Sequence, residues 1–186
     1  MTEPAKRVGL KVGLLPGIVS LETSVGIDDV LKLFQRRRAS RGPFILIVRS
    51  KGLAIDTAFG AEDDNPILWP PHAQPHQLWY FQKTKYQGQF EILSVANGLA
   101  LDAHRSDDIS RPAVMWSRHG QAHQRWRLNP TGDGAACFIE SVRTGHVLDA
   151  PWEAGPETHT PPILYPMHGK ENQQFIIAAP SHGKQG

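Results

Sequence analysis

This chain is short of almost everything that would place a sequence in a familiar class. It has a single cysteine, Cys137, so no internal disulfide is available and the fold must stand on its core. No stretch approaches the ~20 consecutive apolar residues that a membrane helix needs. Neither sign of charge dominates: 20 Lys and Arg against 18 Asp and Glu leave a formal charge of +2. That gives no reason to expect nucleic acid, and no nucleic-acid motif accompanies the basic residues. P-loop, Gly-x-Gly-x-x-Gly and nucleophile-elbow patterns are all missing, so nothing points to nucleotide chemistry or acyl transfer. Residues Val12 to Leu21 are mildly apolar behind Lys6, Arg7 and Lys11, but Gly13 and Pro16 interrupt them and Glu3 and Glu22 flank them. That is a poor secretory signal, so the expected location is cytoplasmic, or outside the cell by release without a conventional signal peptide.

What is present is repetition. The 17 Gly and 15 Pro suit many turns and short strands. Gly-x-x-x-Asp occurs at Gly52 to Asp56, Gly98 to Asp102 and Gly145 to Asp149. A Gln-x-aromatic motif follows each, at Gln77-Leu78-Trp79, Gln124-Arg125-Trp126 and Gln173-Gln174-Phe175. Successive aspartates are 46 and 47 residues apart. A second aromatic, Trp69, Trp116 or Tyr165, precedes the closing one by 10 residues in every copy. The distance from aspartate to first aromatic varies, at 13, 14 and 16 residues, as it would if a surface loop there absorbs length changes. Repeats of this length bury their apolar faces only against one another.

Each unit offers about four short strands. They fall at 44–48, 53–55, 67–69 and 78–81, at 90–95, 99–101, 113–116 and 125–128, and at 137–142, 147–148, 163–165 and 174–177. About twelve strands in three units make a closed or nearly closed all-β body. Cys137, in the run Ala135 to Ile139, reads as a small buried hydrophobe. Ahead of the repeats, residues 1–42 form a tail outside the pattern. Asp28 to Arg38 suits a short helix, with acids at its positive end, arginines at its negative end and an apolar stripe of Ile27, Val30, Leu31 and Phe34. Packing on the domain, a solvated tether and a helix that docks on a partner or an anionic surface all stay open for it. Gly42-Pro43 is expected to stop that helix and open the repeat domain at 43–179, with 180–186 as a C-terminal tail.

The motifs resemble the ricin-type β-trefoil lectin family over about residues 43 to 179. The third unit is nearest: Ile163-Leu164-Tyr165-Pro166-Met167-His168-Gly169-Lys170-Glu171-Asn172-Gln173 is similar to the galactose-binding repeat of the ricin B chain. The resemblance implies a β-trefoil, a six-stranded barrel closed by three hairpins. Secreted family members carry a cysteine pair in each unit. The matching positions here are Ala54 and Pro71, Ala100 and Arg118, and Val147 and Met167, so all three bridges are missing. In that respect the chain is similar to fungal and bacterial members, many of them cytoplasmic.

A sugar site needs a carboxylate to accept from hydroxyls, an amide that donates and accepts, and an aromatic plate for the C–H face. By the resemblance, unit three supplies Asp149, Tyr165, Asn172 and Gln173, with Ile163 carried over beside them. Unit two offers Asp102, Trp116, His123 and Gln124. Unit one offers Asp56, Trp69, His76 and Gln77. Histidine replaces the amide at His76 and His123, which keeps one donor and one acceptor in a different geometry. A purely structural reading stands beside each role: the aspartates cap turns, and the glutamines start the core motif and are more structural than ligand. The outer aromatics are plates or core, and their place facing the loops favours plates. Trp79, Trp126 and Phe175 are core. Trp152 extends a site or covers an edge.

No metal and no cofactor are expected. His119 and His123 have i, i+4 spacing, but Gly120 and the strand context argue against a helix there, and His159, His168 and His182 are scattered. Catalysis is not expected either, because the repeated aspartates come one per unit. The expected partners are glycoconjugates with terminal galactose or N-acetylgalactosamine, bound at up to three shallow sites. A homodimer through the tail stays open. The competing expectation is a protein-binding trefoil, protease inhibitor-like or a targeting scaffold, that works through its loops, around Glu62 to Asp64 or Glu153 to Pro161, or through its tail.

Overall fold

The computed structural model describes residues 40–58, 60–104 and 108–180. The helix expected over Asp28 to Arg38 lies outside them. Among the described residues, thirteen strands run in chain order. Unit one holds β1 (Ser40–Val48), β2 (Ala54–Asp56), β3 (Ile67–Trp69) and β4 (Trp79–Lys83). Unit two holds β5 (Phe90–Ser94), β6 (Ala100–Asp102), β7 (Arg111–Pro112), β8 (Val114–Trp116) and β9 (Trp126–Pro130). Unit three holds β10 (Cys137–Ser141), β11 (Val147–Asp149), β12 (Ile163–Tyr165) and β13 (Phe175–Ala178).

The pairings close a ring. β1 pairs with β4, β4 with β5, β5 with β9, β9 with β10, β10 with β13, and β13 returns to β1. Those six strands are the barrel. The hairpins β2–β3, β6–β8 and β11–β12 each hang from one of them, on β1, β5 and β10. This is a β-trefoil, with closure leaving the barrel no free edge.

The repeated motifs are the parts that make it threefold. Gly52, Gly98 and Gly145 sit at φ +65°, +74° and +73°, a left-handed turn that glycine adopts without a Cβ penalty. Each donates its N–H back to the strand it left, to Val48, Ser94 and Ser141. Trp79, Trp126 and Phe175 are fully buried at matching places. The two indoles donate to the carbonyls of Ile55 and Leu101, so burial strands no polar group. Leu46, Ile92 and Ile139 fill the barrel, and Leu68, Met115 and Leu164 fill the layer under the hairpins. Each such side chain stabilises the fold by about 1.5–3 kcal/mol through burial. Cys137 is fully buried in the same core, and its thiol faces the carbonyl of Phe175 at 3.7 Å.

Two boundaries differ from expectation. Gly42-Pro43 does not open the domain but lies inside β1, whose Ser40 and Arg41 already pair with Gln82 and Phe81. The register shifts between Arg41 and Phe44, so the dipeptide makes an irregularity within the strand. The second difference is β7. This two-residue strand pairs with β12 of the next unit rather than with its own, a cross-unit contact that no repeat pattern announces. Among the described residues no helix is long and apolar enough to cross a membrane.

Candidate functional site

Each hairpin ends its first strand on the repeated aspartate. Asp56, Asp102 and Asp149 face Ile67, Val114 and Ile163 across the hairpins. They are nearly buried, at 3 %, 3 % and 4 % exposure, so any ligand meets only the rim of the carboxylate.

Unit three shows how such a carboxylate is held and aimed. Asn172 Nδ2 donates to Asp149 Oδ1 at 2.7 Å, and Gln173 Nε2 donates to Oδ2 at 2.9 Å. His168 Nε2 lies 3.1 Å from the same Oδ2. Asn172 and Gln173 arrive together because residues Glu171–Gln173 form a 3-10 turn just before β13. Tyr165 stands half-buried on the loop side, its ring 6.0 Å from that of His168. Ile163 is half-buried across from Asp149. All five residues expected for this unit therefore meet.

Unit one repeats the plan with histidine. Asp56 Oδ1 accepts from the Ala58 N–H at 2.7 Å, and Oδ2 from Gln77 Nε2 at 3.0 Å. His72 and His76 approach Oδ2 at 3.3 and 3.7 Å. In unit two, Asp102 Oδ1 accepts from the His104 N–H at 2.8 Å, and His119 and His123 both lie 3.6 Å from Oδ2. Asp102, Trp116, His119 and His123 line a shallow cleft of about 230 Å³ that also contains Asp63, from unit one's loop. Trp69 and Trp116, like Tyr165, are half-buried, in contrast to the closing aromatics.

The glutamines are a separate matter. Gln77, Gln124 and Gln173 are fully buried. Gln173 Oε1 accepts from the N–H groups of His168 and Gly169, while Nε2 serves Asp149 and the carbonyl of Pro166. Gln77 repeats this set with His72, Ala73, Asp56 and Pro70. Gln124 binds His119, Gly120 and the carbonyl of Ser117. These amides spend their hydrogen bonds on the loop and the carboxylate, so they position the site from behind.

Residues 75–165 match the family described as ricin-type beta-trefoil lectin domain-like. Over that stretch the chain is similar to the ricin-type lectin-like family. Solved structures agree on the fold. The designed threefold protein ThreeFoil aligns at TM-score 0.69 and 24 % identity, over 75 % of this chain and all of that one. The Macrolepiota procera ricin B-like lectin, solved with lactose, aligns at 0.66 and 19 %, over 78 % of this chain and 100 % of that one. The Rhizoctonia solani agglutinin aligns at 0.62 and 21 %, over 78 % and 98 %. No curated protein matches by sequence.

Within this trefoil, the histidines three residues after each outer aromatic are what sequence reasoning passed over as site residues. His72, His119 and His168 all reach the repeated carboxylate, and their identical spacing from Trp69, Trp116 and Tyr165 was the available signal. By distance, two groups among the described residues suit a metal ion. The ligand atoms of Asp56, His72 and His76 lie within 4.8 Å of one another, as do those of Asp102, His119 and His123. The absence of an α-helix did not keep His119 and His123 apart, because a 3-10 turn over Ala122–Gln124 brings their ring centroids to 4.7 Å.

Hydrogen bonding opposes a metal, however. The Nδ1 atoms of His72, His119 and His168 each accept a backbone N–H, from Gln74, Gln121 and Lys170, at 3.2 Å. A nitrogen that accepts carries no proton, so the neutral ring bears its proton on Nε2, the atom aimed at the carboxylate. A metal there must displace that proton and set Nδ1–H against an N–H. Burial lowers the pKa of His72 below its ordinary 6.5, against the upward pull of Asp56.

Proposed function

We propose that this chain is a lectin for terminal galactose or N-acetylgalactosamine, with unit three as its principal site and up to three sites in all. The observation that carries the reading is the unit-three constellation: a donor-held Asp149, an amide at Asn172 and a half-buried ring at Tyr165, all on one rim. A carboxylate rim accepts from two neighbouring hydroxyls, the amide takes a third polar contact, and the ring covers the apolar C–H face. The family match over residues 75–165 supports sugar binding, and the lactose complex of the Macrolepiota procera lectin supports a galactoside.

One such shallow site holds a sugar at roughly millimolar strength, about −4 kcal/mol. Several sites on one rigid body gain through avidity on clustered glycans. Binding without turnover is the natural use of these groups: each repeated aspartate serves a separate hairpin, and its oxygens are held as acceptors.

A glycan array comparing wild type with Asp149→Asn tests this. The substitution keeps the shape and removes the charge-assisted bonds, so galactose-terminated signals should fall about tenfold or more. An unchanged pattern would move the working sites to units one and two. Silence in the wild type would leave the trefoil as a scaffold, and Trp152, 88 % exposed on the long third loop, would then be the first place to look for a protein partner.

A further inference from the structure

The loops that join each aspartate to its outer aromatic do not stay in their own unit. Asp63 of the first loop donates its N–H to Met115 of unit two at 2.8 Å, and Asp64 accepts from the Met115 N–H at 2.8 Å. Ser110 of the second loop donates to Leu164 of unit three at 2.8 Å, with β7 pairing on β12 behind it. His159 of the third loop stacks on Trp69 of unit one, with centroids 5.5 Å apart and planes at 14°. These three residues are equivalent. Each lies six positions before its own unit's outer aromatic, and all three hold left-handed backbone, at φ +71°, +63° and +49°. Left-handed backbone is uncommon for residues other than glycine, and here it recurs at one structural position with three different side chains.

That position lies on the ligand side. Asp63 lines the unit-two cleft together with Asp102, Trp116 and His123. By the threefold relation, His159 stands to Trp69 of unit one as Asp63 stands to Trp116 of unit two. Serine at the same place in unit three is too short to cover a ring.

We infer that the three sugar sites are composite, each completed by the preceding unit's loop, and that the residue at this position decides which sites open. His159 caps the plate of unit one and holds that site closed. Ser110 leaves Tyr165 free, and Asp63 adds a second carboxylate to unit two. The inference rests on the sugar-binding reading above. A surface stack of this kind competes with a sugar by about two- to tenfold. His159 is exposed, so replacing it leaves the core untouched.

The test is a lactose titration of the full chain, followed by amide and indole NMR signals in wild type, His159→Ser and His159→Tyr. In wild type, signals around Tyr165 should move first, and those of Trp69 only at about two- to tenfold higher lactose. In His159→Ser, the Trp69 response should shift down to meet unit three. His159→Tyr, which keeps an aromatic cap, should behave as wild type. If Trp69 responds identically in wild type and His159→Ser while Tyr165 responds normally, His159 is no gate and the inference falls alone. If no unit responds in any of the three proteins, the sugar reading falls and takes the inference with it.

Discussion

Proline at 151 lacks an amide hydrogen, and that one missing atom accounts for the asparagine of unit three. In units one and two, Oδ1 of the aspartate is held by the N–H two residues on, from Ala58 and His104. The matching residue in unit three is Pro151, which cannot donate. Asn172 Nδ2 takes its place at 2.7 Å from Asp149 Oδ1. The amide thus has a structural duty in addition to the ligand role expected of it, and histidine at 76 and 123 is tolerated where the backbone already serves.

His72, at the other histidine position of unit one, brings a pH dependence of its own. Burial favours the neutral form of His72, and Asp56 only partly offsets it. A group whose folded pKa lies below its unfolded value contributes stability above the unfolded pKa, and that stability is lost as pH falls through the folded value. Wild-type Tm should therefore fall on acidification from about pH 7.5 to about pH 5, and the fall should be shallower in His72→Asn. Parallel melting curves for the two proteins would count against this balance.

At the scale of the element, the turn before each 3-10 segment needs a left-handed residue. Units two and three supply glycine there, Gly120 at φ +67° and Gly169 at +80°, while unit one supplies Ala73 at +57°. The ordinary cost of a Cβ in that conformation is about 1 kcal/mol. A Cβ on Gly169 would meet nothing within 4 Å, so only the backbone term operates there. Ala73→Gly should raise stability by roughly 0.5–1 kcal/mol, and Gly169→Ala should lower it by a similar amount, both read from urea midpoints. Opposite signs are the essential outcome.

The elements also show what a sequence can and cannot reveal. The hairpins and barrel strands were legible because their residues repeat in type as well as in spacing: the turn glycine, the aspartate, and the buried ring ten residues after the outer one. Loop crossing was not legible. Asp63, Ser110 and His159 share no chemistry; they share a backbone conformation, which leaves no mark in side-chain identity. Pro43 was misplaced for a related reason. Gly-Pro usually marks a boundary, but here pairing with β4 on both sides of it carries the strand through. His72, His119 and His168 were visible as a repeat but not as a site, since nothing short of coordinates shows that a ring three residues past a strand turns back to its carboxylate.

On the scale of the whole molecule, closure makes the three units one cooperative body. β1 of the first unit is zipped to β13 of the last by four residue pairs, from Ile45 with Ala178 to Val48 with Phe175. No unit can leave without opening the ring, so unfolding should be a single transition despite the internal repetition. Cys137 lies where a single residue pair joins two strands of that ring: it pairs with Phe175, and burial pushes its thiol up to about 12. A thiol so placed is inert to alkylation until the barrel opens, and the chain has no other. Iodoacetamide labelling at neutral pH should run at least about a thousandfold slower than for a free thiol, and should accelerate with urea in step with global unfolding. Labelling that ignores urea would mean the barrel breathes locally near β10. The lone cysteine is thus a native stopwatch, timing the lifetime of the closed ring with no dye and no engineered label.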